Sequence, residues 1–291
     1  MHGVLVVDKP RGITSFDVVR DVRRALRVKK VGHTGTLDPM ATGVLPICIG
    51  DGTKIAQFIT EATKAYDATL KLGATTDTLD AEGKVLETRP VPPLTRELLE
   101  AAFEKFRGKV MQVPPMYSAI KIDGKRLYEL ARAGLEVERS AREVTVYELK
   151  LRDFSADEVQ LSVTCSKGFF VRTLAADLGE VLGCGAHLCA LRRTQSGPFT
   201  LAQSMPLADV VALGPAVAPR LVGLSDSLKD VPSLQLTEAE ASRARHGGVV
   251  EVPEALTGLL RVFEPNGSLL ALADAVKGRL VYRRVLLPDA Q

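Results

Sequence analysis

A chain of 291 residues in which 46% are apolar and 25% charged has the balance of a globular protein with ample core, which excludes disordered and fibrous classes. Its length suits one large domain carrying a small appendage. The formal net charge of +3 neither demands nor excludes a polyanionic partner, so the placement of basic residues has to decide.

In chain order, residues 3–7 predict a short buried strand, and Thr14 or Ser15 caps a helix with Val18, Val22, Ala25 and Leu26 at helical spacing. Its other face carries Arg20, Arg23, Arg24 and Arg27, with Lys29 and Lys30 following. Residues 32–43, rich in glycine and threonine around Asp38-Pro39, predict a loop leading into an apolar strand at 44–49. Alternation at Tyr66, Ala68, Leu70 and Leu72 predicts a half-buried strand, and 75–83 a turn. Thr95 starts an amphipathic helix, after which Pro114-Pro115 open an exposed excursion that contains Lys121, Lys125 and Arg126. Strands are expected at 144–151 and 159–164, and a helix at 173–182 ending at Gly183. Near the end, Thr237-Glu238-Ala239-Glu240 has capping-box spacing, Asn266-Gly267 marks a hairpin between 259–263 and 269–273, and 279–285 reads as a further strand. Strands and helices alternate without a regular βαβ repeat, so the fold class is α/β in the α+β sense: a mixed, largely antiparallel core sheet with helices (1–232), plus a small β-rich module (233–291).

Several site types lack their residues. No Gly-Lys pair precedes Ser or Thr, so there is no P-loop; Gly183-x-Gly185 lacks its third glycine; no Ser or Cys has a nucleophile setting. Cys184, His187 and Cys189 lie close in sequence without a fourth ligand and read as helix packing, and all four cysteines, with Cys48 and Cys165, as buried hydrophobes. The apolar stretch 4–7 is too short for a secretory core, and 206–224 is interrupted by Asp209, Pro215, Pro219 and Arg220, so a cytoplasmic chain without a membrane span is expected. Asp38 remains, with His33 five residues before it; on its own an Asp-Pro step is as readily a turn initiator.

Longer segments carry more. They are Val7-Asp8-Lys9-Pro10-Arg11-Gly12-Ile13-Thr14-Ser15, Gly32-His33-Thr34-Gly35-Thr36-Leu37-Asp38-Pro39-Met40-Ala41-Thr42-Gly43-Val44-Leu45, Lys64-Ala65-Tyr66, Thr76-Asp77-Thr78-Leu79-Asp80 with Gly83, Gln112-Val113-Pro114-Pro115-Met116-Tyr117-Ser118-Ala119-Ile120-Lys121, Ser166-Lys167-Gly168-Phe169-Phe170-Val171-Arg172-Thr173-Leu174, and Leu191-Arg192-Arg193 with Ser196-Gly197. Over nearly its whole length the chain thereby resembles the bacterial TruB family of tRNA pseudouridine synthases. The resemblance implies isomerisation of uridine to pseudouridine at position 55, in the T-arm loop of tRNA, with Asp38 as the catalytic carboxylate. The reaction breaks the glycosidic bond, turns the base and rejoins it through C5, importing no group and changing no oxidation state; no cofactor and no metal is expected.

By the same resemblance Arg172 is the cation that keeps Asp38 ionised and oriented. Tyr66 receives the flipped base, Phe170 (where the family often has Tyr) and Leu191 line the pocket, and His33 fills the gap left in the RNA. Lys9 and Asp80 match motif positions and stand lower among the substrate-binding candidates, with support of the active-site loop the alternative for Lys9 and shaping of a turn that for Asp80. Arg20, Arg24, Lys29, Lys30, Lys121, Lys125 and Arg126 are candidate phosphate contacts. The excursion at about 110–142 resembles the family's thumb loop, and the C-terminal module looks like an RNA-binding PUA domain. The expected partner is tRNA, through its T-arm stem-loop, met by a monomer with no obligate protein partner and no membrane. A guide-RNA-dependent relative and an RNA chaperone are the alternatives.

Overall fold

The computed structural model describes residues 1–122 and 124–286, the side chains of 122, 126 and 132 excepted. The first half runs β1 (Gly3–Lys9), α1 (Ser15–Leu26), β2 (Val31–His33), β3 (Thr42–Ile49), α2 (Gly52–Thr60), β4 (Lys64–Leu72), the β5 (Ala74–Thr76) and β6 (Val85–Thr88) ribbon, α3 (Arg96–Glu104) and β7 (Gly108–Gln112). An outlying segment then holds β8 (Lys121–Ile122), β9 (Lys125–Arg126) and α4 (Leu127–Arg132), before β10 (Arg142–Phe154), β11 (Glu158–Cys165), α5 (Val171–Val181), β12 (Ala186–Ser196), β13 (Phe199–Thr200), β14 (Met205–Pro206) and α6 (Leu207–Leu213). Last come β15 (Ser233–Gln235), α7 (Glu238–Arg245), β16 (Gly258–Phe263), β17 (Leu269–Val276) and β18 (Arg279–Val285).

One ten-stranded sheet organises the first 206 residues, in the order β14-β1-β3-β12-β4-β11-β10-β7 with β2 beside β3 and β13 beside β12. Its pairs are antiparallel apart from β1 with β14 and β3 with β12. Alternation along β4 and β11 sends Ala68, Leu70, Leu161 and Val163 to one face. There Leu99 and Phe103 of α3, Leu174 and Leu178 of α5, and Val18, Val22 and Leu26 of α1 cover them in one core. Thr14 caps α1 in a reciprocal box with Asp17, and Thr95 caps α3.

The C-terminal sheet, β15-β16-β17-β18, has its own core of Leu260, Val262, Ala273 and Leu280 closed by Ala241 and Ala244 of α7. Thr237 forms the expected capping box with Glu240. Another cluster ties the two sheets together: Leu272 and Leu286 pack with Val4, Val44, Ile55, Ile59 and Leu228. The mixed core sheet with flanking helices and a separate β-rich C-terminal unit thus agrees with the expected fold class.

Two local expectations change, and one helix comes unpredicted. The segment with Cys184, His187 and Cys189 is largely the central strand β12 and not a packed helix; helix-favouring Leu, Ala and Arg in 186–196 are overridden by pairing with both β3 and β4. Cys184 is fully buried and His187 Nδ1 lies 2.9 Å from the Ala74 carbonyl oxygen. Residues 108–112 belong to the sheet as its edge strand, so the outlying segment begins after Gln112. Helix α2 was hidden by the turn-like Asp51-Gly52 at its start.

Candidate functional site

The segment from Thr34 to Ala41 connects β2 to β3 and is held from three sides. Ser15 Oγ accepts from the Leu37 N–H at 2.8 Å and reaches the Leu37 carbonyl at 3.1 Å, pinning the loop to the start of α1. Below it, the Gly12 N–H donates to Pro39 O at 2.8 Å, and Lys9 Nζ donates to the carbonyls of Pro10, Ile13 and Pro39 at 3.0, 2.7 and 3.2 Å. On the third side Arg193 donates from Nε to Val44 O at 2.7 Å and from Nη2 to Gly35 O at 2.9 Å. Leu37, Met40 and Ala41 are buried beside Asp38, leaving its carboxylate directed at a cavity of about 400 Å³.

Arg172, near the start of α5 and 4% exposed, meets that carboxylate as a fork: Nε to Oδ2 at 3.0 Å and Nη2 to Oδ1 at 3.3 Å. Its remaining donors go to Tyr117 O at 2.7 Å, Thr78 O at 3.2 Å and Asp80 Oδ2 at 3.5 Å. Asp80 is itself fixed by Thr78 Oγ1 at 2.6 Å and the Glu82 N–H at 3.1 Å. One guanidinium therefore sits between two carboxylates, and only Asp38 faces the cavity. Burial raises the Asp38 pKa above the ordinary carboxylate value; Arg172 opposes the rise, Asp80 adds to it, and Lys9 opposes it more weakly. The carboxylate side remains 34% exposed through the cavity mouth, which limits the size of that rise.

Tyr66 on β4, Phe170 at the cap of α5 and Leu191 on β12 line the same cavity as Asp38. Gln112 fixes Phe170 by its backbone, accepting from the N–H at 3.0 Å and donating to the carbonyl at 3.3 Å. Two expectations are corrected. Lys9 has no exposed surface and its three donors are engaged by carbonyls, so it clamps the loop and cannot touch a substrate; burial lowers its pKa to about 8. Asp80 lies behind Arg172, so it positions the arginine and does not line the cavity. His33 lies on β2 outside the cavity lining, with a buried Nδ1 that has no hydrogen-bond partner among the described residues, and burial together with Arg193 lowers its pKa.

Sequence reasoning left out two side chains that the fold brings here. Lys64, first residue of β4, is buried with Nζ 2.5 Å from each of the Thr60 and Ala62 carbonyls, and burial and Arg193 bring its pKa to about 8. Arg193 has 1% of its surface exposed and lines the cavity. A sequence signal existed in their positions within the quoted motifs, but a lone basic residue reads as surface. Of the candidate phosphate contacts, Arg20 is already paired with Asp17 at 2.6 Å and Asp21 at 3.0 Å. Arg24, Lys29 and Lys30 are exposed after the buried face of α1; Lys121 and Lys125 are exposed on the outlying hairpin; the side chain of Arg126 lies outside the described residues. Among the described residues no group of three or more His, Cys, Asp or Glu is placed to hold a metal ion, and no helix is long and apolar enough to cross a membrane.

The site is a carboxylate forked to a buried arginine at a cavity of about 400 Å³ beside the mixed sheet. Comparisons with known proteins identify the family that carries it. The model of the TruB family pseudouridylate synthase N-terminal domain matches residues 23–171, that of the tRNA pseudouridylate synthase B C-terminal domain matches 172–215, and that of the tRNA pseudouridine synthase II C-terminal region matches 231–286. The tRNA pseudouridine synthase B of Stutzerimonas stutzeri (strain A1501) is 47% identical over 293 residues, spanning 98% of this chain and 96% of the relative. That of Pseudomonas aeruginosa (strain UCBPP-PA14) is 48% identical over the same shares. Among solved structures, a chain of a Cbf5-Nop10-Gar1 complex superposes with a TM-score of 0.79 at 24% identity, covering 98% of this chain and 85% of that one. A chain of an H/ACA RNP bound to a substrate RNA containing 2'-deoxyuridine gives 0.76 at 22%, with the same coverage; both likenesses concern the fold. The chain belongs to the TruB family of pseudouridylate synthases.

Proposed function

We propose that the protein converts uridine to pseudouridine in tRNA, at position 55 of the T-arm loop, with Asp38 as the catalytic carboxylate. The observation that carries the assignment of Asp38 is its two-point pairing with Arg172 at the cavity, at 3.0 and 3.3 Å. A stacked uridine is out of reach inside a folded loop, so the target nucleotide turns out of the stack into the cavity, where the Tyr66 and Phe170 rings and Leu191 hold the base. Arg172 keeps Asp38 charged and aimed. Asp38 then supplies electrons to the sugar as the glycosidic bond breaks, the base turns, and C5 bonds to the ribose as its proton leaves. His33, outside the cavity, occupies the space vacated in the RNA loop.

Exposed Arg24, Lys29, Lys30, Lys121 and Lys125 hold phosphates without reading sequence. Residues 233–291 act as an RNA-binding domain attached to a catalytic domain of residues 1–232, and the protein works as a monomer in the cytosol without guide RNA or protein partner. The test is tritium release from C5-labelled uridine in an unmodified tRNA transcript by the purified chain, with the modified position mapped. Release at position 55 supports the proposal; release at another position, or only with an added guide RNA or protein, overturns it.

A further inference from the structure

Arg193 is the largest side chain of the molecule with less than 2% exposure, and among the described residues no carboxylate lies within ion-pair distance of it. Its neighbours accentuate the charge. Lys64, Lys9 and His33 all feel it as a like charge. Its hydrogen-bonded partners are neutral, the Val44 and Gly35 carbonyls, and the Tyr66 hydroxyl lies near enough for the charge to act on it. The other arginine of the cavity, Arg172, has two carboxylates; Arg193 has none. Desolvating an unpaired guanidinium is costly, and carbonyl dipoles compensate only part of that cost. A fold that retains such a group inside a substrate cavity has a use for a positive charge there.

The proposed reaction supplies the missing anion. When the C1′–N1 bond of the flipped uridine breaks, its electron pair stays on N1, and the departing pyrimidine carries one negative charge delocalised onto O2 and O4. Asp38 replaces those electrons on the sugar, by forming a C1′–O bond or by taking the C2′ proton. In either case the uracil anion is the species that needs stabilising. Tyr66, Arg193 and Lys64 line the same cavity as the Asp38–Arg172 pair. We infer that Arg193, supported by Lys64 and relayed through the Tyr66 hydroxyl, is the charge that stabilises the uracil anion released on glycosidic cleavage. The inference rests on the synthase reading and adds a division of labour: Arg172 serves the carboxylate and Arg193 the leaving base. A preorganised cation aimed at a charge that develops only in the transition state accelerates that step without tightening ground-state binding.

Leaving-group chemistry tests this. Fluorine at C5 stabilises the departing anion by itself, so it replaces part of what the cation supplies. Single-turnover cleavage is measured on matched T-arm stem-loops carrying uridine or 5-fluorouridine at the target. For Arg193→Gln, which keeps one donor for the loop carbonyls and removes the charge, the uridine rate is expected to fall about 100-fold. The 5-fluorouridine rate should fall about tenfold less, with RNA affinity within about threefold of the wild type. Arg193→Lys, which keeps a cation, should leave the ratio of the two rates near the wild-type value. Equal falls on both substrates in Arg193→Gln would mean that Arg193 only braces the loop, and an unchanged uridine rate would remove it from the reaction. The wild-type protein gives an arm that needs no variant: its two rates should agree within about threefold, and a 5-fluorouridine advantage of about 30-fold or more would show a leaving group left unstabilised. Failure of the wild type to act on uridine at all would instead overturn the synthase reading.

Discussion

At the scale of single residues, Asp38 is held at a cost. Its folded pKa lies above the unfolded value, because burial and Asp80 outweigh Arg172. Between those two values the folded state binds more protons, so this residue's contribution to stability falls as pH rises through the window and is lost above the folded value. Asp38→Asn is therefore expected to raise the thermal midpoint at pH 7 while lowering turnover on the order of 10⁴-fold, with tRNA affinity retained. Melting and tritium release on one preparation check both. Asp80→Asn makes the opposite use of the same electrostatics. Removing a like charge should shift the acid limb of the pH–rate profile to lower pH, and loss of an Arg172 partner should lower kcat about tenfold or more. An unmoved acid limb would place a group other than Asp38 behind it. Asp38, Tyr66, Phe170, Arg172 and Leu191 could be picked out together because they stand in segments long enough to resemble a family, and loop support was one reading of Lys9; the place of Asp80 behind Arg172 was not legible, since burial behind a partner leaves no trace in spacing.

At the scale of elements, the loop works because strands on either side anchor it. Gly43, the second residue of β3, has φ +102°, and a Cβ there would lie 2.2 Å from the Arg193 carbonyl oxygen on β12. The parallel pairing of Arg193 with Gly43 needs that close approach. Gly43→Ala should cost on the order of 2–4 kcal/mol in urea unfolding and impair kcat more than tRNA affinity, because it parts the Asp38 loop from Arg193. The half-buried strands β4 and β11 were readable from alternation. Strand β12 was not, since it lies in mid-sheet and its residues favour helix, so only its partners on both sides decide its conformation. Edge strand β7 was lost for another reason: five residues beside a Pro-Pro step give too short a pattern.

At the scale of the whole molecule, the C-terminal sheet is a buttress as well as an appendage. Leu272 is fully buried among residues of β1, β3 and α2, although it belongs to the other sheet. Leu272→Ala should cost about 2–5 kcal/mol, and the loss should appear in one transition in which both sheets unfold together, followed by near-UV dichroism and limited proteolysis. Two separate transitions, with only the second unit affected, would show that the cluster does not couple them. The existence of the C-terminal unit could be read from its hairpin and capping box. Its attachment could not, because apolar residues that face a neighbouring domain look like those that face their own core.

The contact between Arg172 and Tyr117 also links two distant stretches of the chain. Tyr117 lies in the outlying segment between β7 and β10, yet its carbonyl is one of the acceptors of the buried arginine that holds Asp38, at 2.7 Å. Were that segment displaced, Arg172 would lose an acceptor and the carboxylate it holds would lose part of its aim, so the placing of a segment remote in sequence and the readiness of Asp38 are coupled through one hydrogen bond.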